Sequence, residues 1–271
     1  MEYSDSNFTR AFSSLGCGHA DLTTVMDIAQ RHAIPCLELR TLGGTVDLPD
    51  YLASQYGCPE MFAGTLLGAP ARIVSLGTSL QLVGNTAESR NAFLRYVPWA
   101  EACGASTLRA FDGGRSGSDQ EIEQALSTWM WWRSLRADRG WNVDIAVETH
   151  DAFAIEDNLR HLSEALPDCR LIWDTHHTWR KGGCDPIRTW RLIGDRVQHI
   201  HVKDSRTDAN ALSGYSYVLP GDGEFPMSAL LAALRDDDYR GAISLEWERH
   251  WYPDLPPLEY ALTAARQRNW W

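Results

Sequence analysis

Acidic and imidazole side chains gather in one stretch of the chain, residues 170–204, at the ends of two short apolar runs. The first run, LIW, is followed by Asp174, and the second, VQHIHV, contains His201 and is followed by Lys203. Strands buried in a parallel sheet carry apolar residues on both faces. A carboxylate or an imidazole at the tip of such a strand therefore needs a partner or a metal ion.

Two more strand-like runs end in a glutamate. VDIAV leads into Glu148 and AISL leads into Glu246, so four successive runs deliver an acid or a histidine at the same relative place. Three carboxylates and one imidazole form a hard donor set. Such a set suits Mn²⁺, Mg²⁺ or Co²⁺ better than it suits structural zinc, which is usually bound by thiolates. We predict a divalent-metal site made of Glu148, Asp174, His201 and Glu246, with Mn²⁺ as the leading candidate and Mg²⁺, Co²⁺ or Zn²⁺ as alternatives.

The alternation of side chains along a strand selects among the other polar residues of these runs. His199 and His201 face the same side, and only the one nearer the strand end reaches the rim. His201 is therefore the predicted ligand, and His199 a buried supporting or core group. The Lys203 side chain points to the same side of the strand as His201. It could supply a cation or a general acid to the site; the alternative is a surface lysine whose aliphatic stem is buried. His150, two residues after Glu148, presents the same choice.

Arginine side chains occur inside two predicted strands, at Arg40 and Arg109. A buried guanidinium needs a partner, and two interpretations stay open: an ion pair inside the sheet, or a clamp for a hydroxyl or phosphate group of a substrate. Trp247 and Trp251, close to Glu246, suggest a substrate with an apolar or pyranose face, in competition with simple packing.

Eight apolar runs of strand length alternate with helical patterns. We predict strands at residues 10–15, 36–40, 71–76, 106–111, 142–148, 169–174, 197–203 and 242–248. Strict alternation of strand and helix produces a parallel sheet, and eight repeats close more naturally as a barrel than as an open sheet. The predicted fold is a (β/α)8 TIM barrel, a single α/β domain over residues 1–271.

The segments between the strands carry helix signals of different quality. Asp21 is a predicted N-cap, and a helix over 86–103 is interrupted by Pro98. Residues 46–69 are less regular and suggest one short helix. Residues 205–227 read as a long polar loop before the next helix.

The composition favours a small-molecule partner. The 271 residues carry a formal net charge of -11, which argues against a nucleic-acid partner because phosphate contacts require clustered Lys and Arg. The N-terminal sequence lacks the basic start and apolar run of a signal peptide, and no run is long enough for a membrane span, so we expect a cytoplasmic protein with no membrane partner. Six cysteines without a close pair predict neither a disulfide framework nor a zinc ribbon.

Five motifs follow one another in the second half of the chain: VETH, IWDTHH, HIHVKD, LPGDGEFP and ISLEWE. In this order they resemble the sugar phosphate isomerase/epimerase family of the xylose isomerase-like barrel superfamily, which includes ketose 3-epimerases, inosose dehydratases and inosose isomerases. The first half is similar mainly through LELR and LRAFDGG. Each motif is weak alone, whereas four ligand types at four successive strand ends form a specific pattern.

The resemblance implies that the four predicted ligands hold a divalent metal, which binds two vicinal oxygens of a carbohydrate. It implies that Glu148 and Glu246 are the catalytic acid/base pair, one removing the proton alpha to a carbonyl and the other returning it through an enediolate. It also makes a homodimer or homotetramer the expected assembly. The predicted substrate-binding residues are His177, which matches a substrate-contacting histidine, together with Lys203, His150 and Arg109.

Two positions depart from the ketose 3-epimerase pattern. Ala154 stands where those enzymes carry a further glutamate, and the KDSR sequence after His201 is closer to the inosose dehydratase branch. The leading hypothesis is a metal-dependent isomerase or epimerase of a sugar or keto-sugar. The alternative is a lyase on the same scaffold, either an inosose-type dehydratase or a 3-keto-glycoside eliminating enzyme, which shares the first half-reaction.

Two other classes of function compete less well. An abasic-site endonuclease shares the superfamily fold but resembles a site with more histidines and a basic groove, which the net charge of -11 opposes. A barrel that binds a sugar without converting it is the alternative outside catalysis, because fold alone does not fix activity.

Overall fold

The computed structural model describes residues 8–270, and its centre is a closed barrel of eight parallel strands. The strands of this part of the chain, including two outside the barrel, are in order β1 Thr9–Ser13, β2 Cys36–Leu39, β3 Arg72–Gln81, β4 Thr107–Phe111, β5 Asp144–Glu148, β6 Arg170–Asp174, β7 Val197–Val202, β8 Asp204–Thr207, β9 Tyr215–Val218 and β10 Ala242–Leu245. Around the barrel the order is β1, β10, β7, β6, β5, β4, β3, β2, while β8 and β9 form a separate hairpin. The predicted single-domain α/β TIM barrel is confirmed.

Helices surround the barrel and connect its strands. They are α1 Leu22–His32, α2 Leu48–Tyr56, α3 Pro59–Thr65, α4 Ala87–Leu94, α5 Val97–Cys103, α6 Asp119–Arg139, α7 Glu156–Ala165, α8 Thr175–Arg180, α9 Pro186–Ile193, α10 Met227–Asp236 and α11 Leu258–Gln267. Within residues 8–270, no helix is long and apolar enough to cross a membrane.

Local sequence signals explain several helix boundaries. The Asp21 side chain accepts a hydrogen bond from Thr24 N, which satisfies one free N–H in the first turn of α1 and confirms the predicted N-cap. The predicted helix over 86–103 is in fact two helices, α4 and α5. Pro98 lacks the N–H that a helix interior requires, and it lies in the first turn of α5, where no such donor is needed.

Other segments differ from the sequence-based expectation. Residues 46–69 contain two short helices, α2 and α3, rather than one. β3 runs on to Gln81, past its predicted end. β10 stops at Leu245, so Glu246 and Glu248 follow the strand instead of lying within it.

The polar loop predicted for residues 205–227 is wrong in part, because its first half folds as the β8–β9 hairpin. The two strands pair antiparallel, from Asp204 opposite Val218 to Thr207 opposite Tyr215. β8 begins two residues after β7 ends, which places the hairpin at the carboxyl end of the barrel.

The two faces of a barrel strand carry different chemistry. On β7, Ile200 and Val202 belong to the apolar core between barrel and helices. His199 and His201 alternate with them and meet Glu38 of β2, a strand that is no neighbour of β7, so both imidazoles lie inside the barrel. The barrel interior therefore holds buried ionisable groups that lead up to its carboxyl end.

Candidate metal centre and active site

The structure brings the four predicted metal ligands together. Glu148 ends β5, Asp174 ends β6, His201 lies on β7 and Glu246 follows β10; all four are buried. Each offers one ligand atom within 4.8 Å of the others. His201 Nδ1 lies 3.5 Å from Glu148 Oε1 and 3.5 Å from Glu246 Oε2.

The strand order explains this convergence. β5, β6, β7 and β10 are consecutive around the barrel, so their carboxyl ends form one arc of its rim. Asp174 pairs with His201 in the register of β6 and β7, and Ser244 pairs with His201 in the register of β10 and β7. Glu246, two residues beyond Ser244, points to the same side by the alternation of a strand.

The surroundings of His201 Nδ1 test whether these residues fit a metal. This atom is buried and has no hydrogen-bond partner among residues 8–270, although it faces Glu148 and Glu246. Glu148 Oε2 and Asp174 Oδ2 also lack a hydrogen bond of ordinary geometry, but each lies beside a cation, Arg109 and Lys203 respectively. A buried ring nitrogen is normally paired, and a divalent cation would pair His201 Nδ1 while bridging it to the carboxylates, a donor set that fits such an ion.

Glu38 supports the histidine ligand from below. Its Oε2 lies 2.7 Å from His201 Nε2 and 3.1 Å from His199 Nε2, which leaves His201 Nδ1 aimed at the carboxylates. Burial alone would raise the pKa of Glu38, but the two histidines hold it well below its usual value. Sequence reasoning missed Glu38; its only signal was an acid within the apolar run CLEL.

Lys203 is fully buried, so the surface-lysine alternative is wrong. Its Nζ lies 2.9 Å from Asp174 Oδ2, 2.5 Å from Glu246 Oε2 and 2.5 Å from Glu248 Oε1. Burial opposes the charged ammonium, yet these three carboxylates raise the pKa of Lys203 well above its usual value. Glu248, which the sequence analysis did not single out, is thereby part of the site.

Two predicted substrate-binding histidines, His177 and His150, also lie at the centre. His177 Nδ1 is 3.2 Å from Asp174 Oδ2 and 4.0 Å from Glu148 Oε1, and burial followed by the Lys203 charge lowers the pKa of His177 well below its usual value. His150 packs edge-on against His177 with ring centroids 4.6 Å apart. The Nδ1 atom of His150 contacts Asp151 Oδ1 at 2.9 Å.

Arg109 forms the ion pair that the sequence left open, with its Nε 3.2 Å from Glu148 Oε2. Its guanidinium also donates to Thr78 O and lies 3.8 Å above the ring of Phe111. Burial would raise the pKa of Glu148, but Arg109 and then His201 lower it below its usual value. Glu148 is therefore held as a carboxylate.

A small cavity opens directly above the ligands. It is lined by Leu15, Arg40, Arg109, Phe111, Glu148, His150, His177, Glu246, Glu248 and Trp251. Trp251 is half exposed at its rim, whereas Trp247 is buried and donates from Nε1 to Pro256 O, which makes it a packing residue. Lys203 and Asp174 are not among the residues that line the cavity.

The fold and this acidic centre define a class of TIM-barrel enzyme with its site at the carboxyl ends of the strands. Residues 69–270 match the family model described as xylose isomerase-like TIM barrel, so the chain belongs to that family.

Curated relatives carry the name inosose dehydratase. The protein of Clostridium tetani is 30% identical over 108 residues, which are 35% of this chain and 36% of the relative. The protein of Glaesserella parasuis is 22% identical over 213 residues, which are 68% of this chain and 71% of the relative. The chain thus spans about a third of the first relative and 71% of the second.

Solved structures share the fold over nearly the whole chain. The probable 3-DHS dehydratase AsbF of Bacillus anthracis has a TM-score of 0.77 at 18% identity, covering 97% of this chain and 100% of that one. The IolI protein with a binding zinc atom has a TM-score of 0.74 at 17% identity, covering 97% and 96%. The 3-keto-D-glucoside 4-epimerase YcjR of E. coli has a TM-score of 0.70 at 12% identity, covering 97% and 99%.

Proposed function

We propose that this protein is a divalent-metal-dependent lyase that dehydrates a polyhydroxy ketone. It removes the proton alpha to the carbonyl and expels the hydroxyl on the next carbon as water, so that a C–H and a C–O bond break and a C=C bond forms. The observation that carries the proposal is the buried set of four ligands at the base of a cavity that is also lined by a further acid, Glu248. The similarity to inosose dehydratases supports elimination over the isomerisation that the sequence analysis favoured.

Glu148, Asp174, His201 and Glu246 would hold the ion. When bound, a divalent cation polarises substrate oxygens and stabilises the negative charge that develops on them during proton abstraction. Arg109 keeps Glu148 in place, and Glu38 keeps the His201 ring in place. The chain's own residues thus fix the geometry of the centre before substrate arrives.

Glu246 is the proposed base for the alpha proton, and Glu248 the proposed acid for the departing hydroxyl. Both line the cavity, and an oxygen of each lies 2.5 Å from Lys203 Nζ. A proton accepted by Glu246 can therefore be returned at Glu248 through the ammonium between them. Since the two carboxylates share one cation, they approach the substrate from the same side, which suits elimination of two groups on one face.

Epimerisation or isomerisation of a keto-sugar is the second candidate, and it uses the same first step. The shared fold with a 3-keto-D-glucoside 4-epimerase supports it. So does Glu148, a second carboxylate at the cavity and the other member of the predicted acid/base pair. In this reaction Glu246 would remove the alpha proton, and a proton taken up from solvent would pass by way of the Glu148 carboxylate to the same carbon.

Product mass in deuterated water separates these reactions. The protein loaded with Mn²⁺, Co²⁺, Zn²⁺ or Mg²⁺ is incubated with a broad set of inososes, ketoses and 3-keto-glycosides. Loss of one water from a ketone is the expected result; deuterium uptake without that loss would support the epimerase instead. Absence of both with every ketone and every metal would overturn the proposal.

The variant Glu246→Gln tests the base. Gln keeps an oxygen ligand but cannot accept a proton, so the variant should still bind some metal while deuterium exchange and elimination fall by at least about a hundredfold. Metal binding by calorimetry serves as the control for an intact site. Near-normal turnover in this variant would remove Glu246 from its proposed role.

A further inference from the structure

We infer that the substrate carries a carboxylate, which binds to Arg40 at the side of the cavity away from Lys203. This inference rests on the proposed function, since it concerns the same cavity. The observations that carry it are the burial of Arg40, its place on the cavity wall and its lack of a counterion.

Arg40 differs from the other buried arginine and lysine side chains of residues 8–270, which are Arg109 and Lys203. Arg109 has Glu148 at 3.2 Å, and Lys203 has three carboxylates. Within the same part of the chain, no carboxylate oxygen lies within 4.0 Å of an Arg40 nitrogen. A buried guanidinium without a carboxylate partner is costly, which indicates that its partner comes from outside.

The backbone holds Arg40 at this place. Its N–H donates to Ser14 Oγ at 2.9 Å, which fixes the end of β2. The guanidinium donates to Gly77 O at 3.4 Å and to Ser79 Oγ at 3.2 Å. These two bonds use two of the five N–H groups of a guanidinium, so donors remain for a ligand in the cavity.

Gly77 of β3 makes room for two guanidinium groups side by side. A Cβ atom at this position would lie 2.7 Å from Arg40 Cδ and 3.1 Å from Arg109 Nη2. Any larger residue would push one arginine away. Burial, followed by the repulsion from Arg109, lowers the pKa of Arg40 to about 10, which leaves it charged at neutral pH.

A carboxylate fits this subsite better than a phosphate does. Its two oxygens match the planar donor edge of one guanidinium. A phosphate ester carries up to two negative charges and three free oxygens and needs more donors. The cavity is also lined by Glu148, Glu246 and Glu248, whose negative charges oppose a doubly charged phosphate more than a singly charged carboxylate.

Calorimetry on the Mn²⁺-loaded protein tests the inference with pairs of ligands that differ only in charge. The probes are quinate with quinamide and glucuronate with glucuronamide; glucose 6-phosphate represents the phosphate alternative. The acid of at least one pair should bind about tenfold tighter than its amide, a difference of ~1.4 kcal/mol. Arg40→Met should remove this preference, and Arg40→Lys should retain part of it.

Arg191→Met is the matched control, because it removes the same charge from an exposed site on α9 and should keep the preference. Unchanged Mn²⁺ affinity in Arg40→Met shows that the centre is still folded. Equal affinity for acid and amide, the same preference in Arg40→Met, tighter binding of the phosphate, or no binding of either acid would each overturn the carboxylate assignment. Dehydration of a neutral ketone alongside any of these results would leave the proposed function standing.

Discussion

Glu38 is the residue on which the orientation of the histidine ligand depends. A carboxylate bound to the far nitrogen of a metal-binding imidazole fixes the ring and raises its basicity. In this protein the bond is 2.7 Å long and both residues are fully buried, so no solvent competes for it.

We expect Glu38→Gln to lower the affinity for Mn²⁺ or Zn²⁺ by about 10–100-fold, the usual cost of losing such a supporting group. Titration calorimetry measures it without requiring turnover. Glu224→Gln is the control, since Glu224 is exposed and pairs with Arg180 on the surface. An unchanged affinity in Glu38→Gln would show that packing alone holds His201.

Lys203 balances the acidic centre when no ion is bound. Lys203→Met keeps the volume of the side chain but leaves Asp174, Glu246 and Glu248 without their shared cation. Removing one partner of a buried ion pair costs ~3–5 kcal/mol, and we expect a loss of this size in urea unfolding of the metal-free protein. Lys181→Met, at an exposed lysine, should cost less than about 1 kcal/mol. Equal costs for the two variants would contradict this role of Lys203.

The ligands were accessible to sequence reasoning, and their supporting residues were not. Glu148, Asp174, His201 and Glu246 each lie at or near the end of an apolar run, so local pattern and the geometry of parallel strands predict that they meet. Glu38 contacts His201 across the barrel, 163 positions away in the chain. No local pattern encodes a contact that exists only after the barrel has closed.

At the scale of elements, one buried carboxylate holds the loop that follows the β8–β9 hairpin against β8. Asp204 accepts hydrogen bonds from the backbone N–H groups of Gly221, Gly223 and Phe225. A Cβ on Gly223 would lie 2.2 Å from Asp204 Oδ1, so the loop packs closely against this side chain. The predicted loop over 205–227 missed the hairpin because its strands are only four residues long and half exposed.

Asp204→Ala should therefore loosen the connection between the hairpin and α10. It removes the acceptor of these three N–H groups and of Ser205 N–H, and we expect a loss of at least ~2 kcal/mol, given about 1–3 kcal/mol for each buried group left unsatisfied. Hydrogen exchange of residues 219–225 should accelerate by at least tenfold. Asp222→Ala, at an exposed acid of the same loop, is the control and should change neither quantity. Unaltered exchange in Asp204→Ala would mean that other contacts hold the loop.

At the scale of the whole molecule, the metal centre and the barrel support each other. The ligands come from β5, β6, β7 and the residue after β10. These four strands are neighbours in the closed barrel. Without an ion, their carboxylates repel one another at the rim. The net charge of -11 adds to this repulsion. Four expectations from the sequence stay predictions: a small-molecule partner, no nucleic-acid or membrane partner, a cytoplasmic location and a homo-oligomeric assembly.

Metal should accordingly raise the melting temperature of the folded protein. An ion that binds only the native state stabilises it by ~2.7 kcal/mol at a concentration of a hundred times its Kd. For a chain of this size, that corresponds to roughly 5–10 °C. Thermal unfolding in EDTA, followed by titration with Mn²⁺, Co²⁺, Zn²⁺ and Mg²⁺, measures the shift and ranks the ions. Asp174→Asn should lose most of the shift because it removes a charged ligand from the centre, whereas identical melting in EDTA and in every metal would exclude this centre as an ion site.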